Sequence, residues 1–503
     1  MIPMQETRMP LWLHQRALLT PERIAYETEN SRLTFHELDQ SARQLACILS
    51  SKGIAEGSHI AVLQENTLNF VRTQHALMYL HAICVPLNLR LAKRELSFQL
   101  ADCAAGFLIA DLATYEKAQQ ANTNCQLLTI EQLLEEATDT LPQPVLQREI
   151  SLNDPCTIIY TSGTTGRPKG VVLTYGSHWW NANASLINLG LRETDEWLCC
   201  VPLFHVSGLS LLIKNVIYGM PVFLCRHFHA ADVHQQILAG KVSHISLVAS
   251  MLQRVLDDAG AARFPDTFRC VLLGGGPVPP VLLKRCLERR IPVYQTYGMT
   301  ETASQCVTLP PEYMQAKAGS AGKALFPLQI QIDSGTRPAE AGEPGEILVK
   351  GPTVFSHYLN REDATRDAFT DGWFRTGDIG YLDADGFLFV LDRRKDLIIS
   401  GGENIYPAEV EAVLRLDTNV TGAGVIGIPD SAWGQKPIAF VTVHRSDAFD
   451  ADDLIALCRS HLAHYKVPKQ VILCDELPEN AAHKLLRRKL YERWLQENPS
   501  NPL

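Results

Sequence analysis

The sequence has no pair of cysteines at the C-x-x-C spacing, although it carries 13 cysteines in 503 residues. That excludes the compact zinc and redox-dithiol motifs built on this spacing. Cys47, Cys84, Cys103, Cys156, Cys199, Cys200 and Cys306 are scattered along the chain and read as small apolar residues of a reducing compartment. Positive charge is also in deficit: 46 Lys and Arg against 55 Asp and Glu give a formal net charge of -9. A nucleic-acid binder carries the opposite balance, and any anionic ligand of this chain needs a local cationic site. An uninterrupted apolar run is missing as well. The longest, residues 209–224, is broken by Lys214, Asn215, Gly219 and Pro221, which makes it a poor membrane span. The N-terminal MIPMQETRMPLWLHQRALL lacks the basic flank and apolar stretch of a signal peptide. A cytoplasmic protein without a transmembrane segment is expected. No internal repeat stands out, and 503 residues with 46% hydrophobic and 20% charged content predict a globular chain of at least two domains.

What the sequence does have is YTSGTTGRPKG at residues 160–170. Thr157, Ile158, Ile159 and Tyr160 before it, and Val171, Val172 and Leu173 after it, have the β-branched and aromatic character of buried strands. The stretch is therefore a loop between two strands. Thr161, Ser162, Thr164 and Thr165 offer hydroxyl donors, Gly163 and Gly166 let backbone amides curl towards an anion, and Arg167 and Lys169 supply charge. No Gly-Lys-Ser/Thr follows Gly163 and the next element is a strand, so it is not a Walker A loop. Composition alone leaves two readings open, a polyphosphate cradle or an ordinary Gly/Ser/Thr-rich loop.

Along the chain, TFHELDQSARQLACILSSKG from Thr34 has a capping box at Thr34 and Glu37 and apolar residues at helical spacing up to Gly53. Residues 59–63, 83–87 and 107–110 read as strands, with a helix over 69–80. This alternation predicts an α/β domain with a largely parallel sheet. Residues 175–189 predict a packed helix whose Trp179 and Trp180 belong in a core. His205 sits in VPLFHVSGLS where an apolar run breaks to Ser-Gly, a place where a sheet edge opens to ligand, although a lone histidine there is as readily structural. Val271, Leu272 and Leu273 run into Gly274, Gly275, Gly276 and Pro277, a turn at the carboxyl end of a strand, where α/β sheets bind ligands. In YQTYGMTET at 294–302, Tyr297 is able to stack on a base and Thr300 with Glu301 to reach phosphate or a hard cation, and a solvated turn is the plainer alternative. Beyond Gly345 comes a strand-like EILVKG, then a helix or turn with Tyr358 and Asn360. Asp371-Gly372, Asp385-Gly386 and Gly401-Gly402 next punctuate short β runs in the manner of hairpins. DRRKD at 392–396 reads as a linker, and the last hundred residues have the size and pattern of a small α+β domain.

Taken together and in this order, YTSGTTGRPKG, PLFHVSG, GGGP, YGMTE, FRTGD, DRRKDLIISGGENIYPAEVE and LPENAAHKLLRRKL resemble the adenylate-forming superfamily of acyl-CoA synthetases, luciferases and peptide-synthetase adenylation domains. The resemblance covers almost the whole chain. LTYGSHWW, PLFHVSGLSLLIKNVIYGM and TYGMTETASQ are most similar to a CoA-ligase branch that acts on an aromatic dicarboxylic acid in menaquinone biosynthesis. A ligase for another aryl or medium-chain acid, or a carrier-protein-loading enzyme, carries the same shared motifs.

The resemblance implies an α/β and α+β chain. Residues 1–394 would form a large domain of two helix-flanked sheets plus a β-barrel-like piece, and 395–503 a small mobile domain. It implies ATP, Mg2+ and CoA as substrates and metal activator. Thr161, Ser162, Gly163, Thr164, Thr165 and Lys169 would hold the pyrophosphate end of ATP, Gly274, Gly275, Gly276 and Tyr297 the adenine, and Asp378 with Arg393 the ribose. Thr300 would meet phosphate and Glu301 the metal. Lys484 matches the lysine of the adenylation half-reaction, with His483 where glycine is usual; Lys395 matches the hinge, and Gly401, Gly402 and Glu403 the CoA-side loop. His205 would line the acid pocket and take part in catalysis. Lys214, a lone cation in an apolar run, would pair with the acid's second carboxylate, since a buried anion needs a cation; the alternative is a lysine that reaches solvent or pairs with a structural carboxylate. A catalytically dead nucleotide-binding regulator would lack Lys484 or Glu301, and both are present.

Overall fold

The structure, a computed structural model, describes residues 8–91, 93–121, 124–136, 146–161, 168–276, 278–393, 398–400, 403–405, 407–430, 434–462, 464–480 and 484–498. The capping box at Thr34 forms: Glu37 N donates to Thr34 Oγ1 at 3.2 Å and Thr34 N to Glu37 Oε2 at 2.7 Å. The helix Phe35–Ser51 follows, burying Leu38, Ala42, Leu45, Ile48 and Leu49 on one face.

Two large sheets carry the N-terminal part. The seven-stranded sheet runs His357–Tyr358, Lys169–Thr174, Pro155–Thr161, Ile83–Pro86, His59–Leu63, Phe107–Ala110, Gln126–Thr129. In the nine-stranded sheet, Val293–Met299, Cys270–Leu273, His244–Leu247, Trp197–Cys199, Val222–Leu224 and Ile24–Glu27 lie parallel, with antiparallel strands at both edges. Because strand side chains alternate, each strand serves two cores. Trp197 and Cys199, Cys270 and Leu272, and Ile60 and Val62 all join one large cluster shared by both sheets. The residues between them face outwards: Leu198 and Val271 into a second cluster, Ala61 and Leu63 into a third. The shared cluster also takes residues from the helices Phe35–Ser51, Leu68–Tyr79, Tyr175–Leu189 and Val206–Tyr218. One core thus holds the two sheets together.

The expected barrel-like piece is a separate five-stranded antiparallel sheet. Its Asp371-Gly372 turn has φ of 50° and 78° between Phe369–Thr370 and Trp373–Leu382, the positive values that a two-residue hairpin demands. The C-terminal part has its own five-stranded sheet, built around Val420–Asp430 and Gly434–Val443, with helices Pro407–Leu414, Ala451–His461 and Arg487–Glu497. The strand Leu388–Arg393 belongs to the preceding sheet and Ile398–Ser400 to the C-terminal one; the expected division at 394/395 and the hinge residue Lys395 lie outside the described residues.

Three local expectations change. The segment around Tyr358 is a short strand, His357–Tyr358, which pairs with Lys169–Thr174 through Val171 and Tyr358. YQTYGM is a strand of the nine-stranded sheet, not a solvated turn, and only Thr300–Thr302 turns. Of the two tryptophans in Tyr175–Leu189, Trp179 stacks on Trp12, whereas Trp180 is 37% exposed; the helix has one apolar face too many for its core.

Burial pushes His75, His178, His205 and His244 down to about 4, against about 6.5 in an unfolded chain. In that window the unfolded chain binds protons that the folded one refuses, so stability falls as pH drops from about 6.5 towards 4. Melting temperature measured across this range is expected to decline with falling pH. The decline should be shallower in His75→Leu, since neither ring nitrogen of His75 has a hydrogen-bond partner among the described residues. A flat profile in the parent would contradict the assignment.

Candidate active site

Both sheets present their carboxyl-terminal loops to the same region. The strands Pro155–Thr161 and Lys169–Thr174 are antiparallel, with Lys169 opposite Thr161 and Gly170 opposite Tyr160. Thr161 and Lys169 therefore stand at the two stems of the loop; Ser162, Gly163, Thr164 and Thr165 lie outside the described residues. Lys169 Nζ is 4.9 Å from the centre of the Tyr358 ring.

On the nine-stranded sheet, Gly274, Gly275 and Gly276 follow Cys270–Leu273. Gly275 has φ of 86°, and a Cβ on Gly274 would lie 2.8 Å from Thr296 Cγ2, so glycine is what lets this turn pack on the next strand. That strand carries Tyr297, whose hydroxyl donates to Asp378 Oδ2 at 2.9 Å. Burial, with the Asp378 charge next, holds the phenol protonated by raising its pKa. Asp378 pairs in register with Arg393, whose side chain is outside the described residues. The turn Thr300–Thr302 comes next; Met299 N donates to Thr302 Oγ1 at 3.0 Å. Ala303 and Ser304 then take φ of 56° and 119°, rare values for residues with a side chain. Glu301 from this turn accepts a hydrogen bond on Oε1 from Tyr358 Oη at 2.9 Å. One tyrosine, which no motif singled out, thus touches both Lys169 and Glu301.

His205 precedes the helix Val206–Tyr218. Its loop is held from the other sheet by Asn66, whose Nδ2 donates to Val201 O at 2.9 Å and whose Oδ1 accepts from Leu203 N at 2.9 Å. The His205 ring lies against Phe204, 4.6 Å between centres, and its Nε2 is buried without a partner among the described residues. Burial chiefly, then the charges of Arg90 and Lys484, push His205 down to about 4, so the ring is neutral near pH 7. Lys484, from the C-terminal part, is thereby brought to the same site as His205, in a turn where its N donates to Asn480 Oδ1 at 3.0 Å. Arg90 was missed in the sequence; the signal available was a cation just past the predicted strand at 83–87, at its carboxyl end.

Lys214 lies on the same helix as His205 but nine residues on, roughly 13 Å along the axis. It is 1% exposed, and its Nζ stands 5.4 Å from the Trp197 ring, in a cleft lined by Leu211, Asn215, Tyr218, Met220 and Val222. It makes no ion pair among the described residues, and burial pushes it down to about 8. It neither reaches solvent nor pairs with a structural carboxylate there. Trp197 opens its strand, so Lys214 is set deep between sheet and helix and not beside Glu301 or Lys169. Gly401, Gly402, His483 and the side chain of Glu403 lie outside the described residues.

Among the described residues no group of three or more His, Cys, Asp or Glu is arranged to hold a metal ion. Mg2+ shared with nucleotide phosphates needs only one or two carboxylates, and Glu301, fixed by Tyr358, suits that.

Residues 13–359 match the AMP-binding enzyme family and 409–484 its C-terminal domain, and the chain belongs to this family. It is 50% identical over 487 residues to the 2-succinylbenzoate–CoA ligase of Geobacillus sp. (strain WCH70), covering 96% of this chain and 97% of the relative. It is 52% identical over 486 residues to the enzyme of that name from Geobacillus kaustophilus (strain HTA426), covering 96% and 98%. Among solved structures, o-succinylbenzoate CoA synthetase (MenE) from Bacillus subtilis with the acyl-adenylate OSB-AMP superposes with a TM-score of 0.91 at 45% identity, over 96% of this chain and 98% of that one. The same synthetase with ATP and magnesium ion gives 0.92 at 45% identity, over 96% and 100%.

Gly208 offers a direct test of the His205 loop, because a Cβ there would lie 2.2 Å from Pro202 O. Backbone must move to admit it, and Gly208→Ala is expected to destabilise by roughly 1–3 kcal/mol and to reduce turnover. An unchanged melting temperature would show that the turn is looser than this.

Proposed function

We propose that this protein is an ATP-dependent acid–thiol ligase. It converts 2-succinylbenzoate, ATP and CoA to 2-succinylbenzoyl-CoA, AMP and pyrophosphate through an acyl-adenylate, a step of menaquinone biosynthesis. The observation that carries the reading is near-full-length identity of about half to ligases of that name, supported by Tyr358 standing between Lys169 and Glu301 and by the charges of Arg90 and Lys484 acting on His205.

A carboxylate is a poor acyl donor because its leaving group would be oxide. Its oxygen therefore first attacks the α-phosphorus of ATP, and pyrophosphate departs. Charge builds on phosphate oxygens in this step, and fixed cations stabilise it without covalent help. Lys169 and the loop residues Thr161 to Thr165 take the pyrophosphate end, and Lys484 the developing charge. Tyr297 and Gly274–Gly276 hold the adenine, Asp378 with Arg393 the ribose hydroxyls, and Thr300 a phosphate. Glu301 would hold Mg2+, which would supply neutralisation of phosphate charge. Neutral His205 lines the acid pocket near the reacting carboxylate without adding charge of its own. CoA thiolate then attacks the acyl carbon and AMP leaves. For that step the small domain turns about Lys395, withdrawing Lys484 and bringing up Gly401, Gly402 and Glu403.

Lys214 recognises the benzoate carboxylate. A buried ammonium beside an aromatic face, with no ion pair among the described residues, suits an anion as its partner. Roughly 13 Å along the helix suits an acid that has one carboxylate at His205 and the other within reach of a lysine side chain.

Lys484→Ala is expected to lower acyl-adenylate formation by about two to three orders of magnitude while a supplied acyl-adenylate is still converted to thioester; equal loss of both half-reactions would contradict the assignment. Lys214→Met should raise the Michaelis constant for 2-succinylbenzoate about tenfold to a hundredfold and leave that for ATP nearly unchanged. Because Lys214 must be charged to bind an anion and is pushed down to about 8, the parent's constant for the acid should rise as pH passes above about 8, and the Met variant's should not. A parent that prefers a monocarboxylate of similar shape would make it a ligase for another acid.

A further inference from the structure

Tyr358 joins the two sheets at the site. It sits on the edge strand His357–Tyr358, opposite Val171 on Lys169–Thr174, and Leu359 N donates to Gly170 O at 2.8 Å. Lys169 and Val171 point to the same face of their strand, being two residues apart. A residue opposite Val171 is therefore a diagonal neighbour of Lys169. The ammonium of Lys169 lies 4.9 Å from the ring centre, within cation–π range, and makes no ion pair among the described residues. At its other end the phenol donates to Glu301 Oε1 at 2.9 Å, on a turn of the nine-stranded sheet. A second tie runs alongside: Phe355 N donates to Glu301 O at 2.8 Å.

The ring itself is held firmly. It is 8% exposed, packs on Phe355 at 4.6 Å, and Phe355 in turn stacks on Phe369 and meets Phe374 edge-on. Tyr358 N donates to Thr365 Oγ1 at 3.0 Å. Burial, and then the charge of Glu301, raise the phenol pKa, so it stays a donor. A rigid donor on one carboxylate oxygen fixes the plane of that carboxylate, and a rigid ring beside a long flexible cation restricts where it points.

We propose that Tyr358 is a positioning residue of adenylate formation, its hydroxyl orienting the Glu301 carboxylate towards Mg2+ and its ring face orienting the Lys169 ammonium towards phosphate. This rests on the reading of Glu301 and Lys169 as metal- and phosphate-binding residues. The two functions separate by chemistry, because Phe keeps the ring and loses only the hydroxyl, whereas Leu loses both.

The test measures ATP binding by titration calorimetry with and without Mg2+, together with the Mg2+ dependence of pyrophosphate release, in Tyr358→Phe, Tyr358→Leu, Glu301→Gln and Lys169→Met. Tyr358→Phe is expected to bind ATP alone as the parent does. It should need about three- to tenfold more Mg2+ for half-maximal adenylation, the size of one lost hydrogen bond, and show a matching loss of the Mg2+-dependent gain in ATP affinity. Tyr358→Leu should also weaken ATP binding in the absence of Mg2+, as Lys169→Met does. Conversion of supplied acyl-adenylate to thioester should stay at the parent rate in Tyr358→Phe. Parental Mg2+ dependence in Tyr358→Phe, while Glu301→Gln loses it, would overturn the positioning role alone; equal weakening with and without Mg2+ would do the same by pointing to a packing role. Parental Mg2+ dependence in Glu301→Gln would overturn the underlying reading with it. If Tyr358→Leu does not fold, the Phe variant decides the metal arm and Tyr358→Met, which fills the site with a flexible apolar side chain but has no ring, replaces it in the phosphate arm with the same expected loss.

Discussion

Everything at the site depends on two sheets being packed on one core, because its groups come from loops that share no local chain continuity. The alternation Trp197/Leu198/Cys199 and Ile60/Ala61/Val62 sends one set of side chains from each sheet into the same apolar cluster. Apolar burial is non-directional and would allow the sheets to slide. Direction comes from a few polar ties across the seam: Asn66 on the Val201 and Leu203 backbone, and Tyr358 with Phe355 on Glu301. Leaving any of these buried groups unpaired costs more than the bond itself contributes, so the ties set register between the sheets.

The chain is acidic overall, yet two cations, Arg90 and Lys484, lie close enough to His205 to bear on its charge. The neighbouring cations reinforce burial in keeping His205 neutral. Local field, not net charge, prepares the site for an anion. The same logic operates in reverse at Lys214, where an aromatic face softens the cost of a buried ammonium without neutralising it.

On the proposed reading, work on the two half-reactions is divided between two packing units. Tyr297, Asp378 and Glu301 are tied into strands and turns of the large domain. Lys484 enters on a turn of the C-terminal part, whose own core and buried Glu411–Arg487 pair at 2.9 Å make it a separate packing unit. A charge needed in one step and obstructive in the next belongs on such a unit.

Much of the fold was legible in the residues themselves. The capping box at Thr34 and Glu37, the strands at 59–63 and 107–110 and the helix at 175–189 follow from short-range periodicity, and the Asp371-Gly372 hairpin from backbone sterics. These are local preferences, and local sequence is sufficient to state them. The motif order was likewise enough to name the superfamily, though not to distinguish a strand at 294–299 from a turn, or a core tryptophan from the half-exposed Trp180. Tyr358 and Arg90 were invisible as site residues, and the isolation of Lys214 from any carboxylate was undecidable, because each depends on which side chains from distant segments arrive at the same place. The chain by itself determined which elements form and which chemistry they carry; only the tertiary structure decided which charges meet and which are left without a partner, since pairing is a property of distances that no stretch of sequence contains.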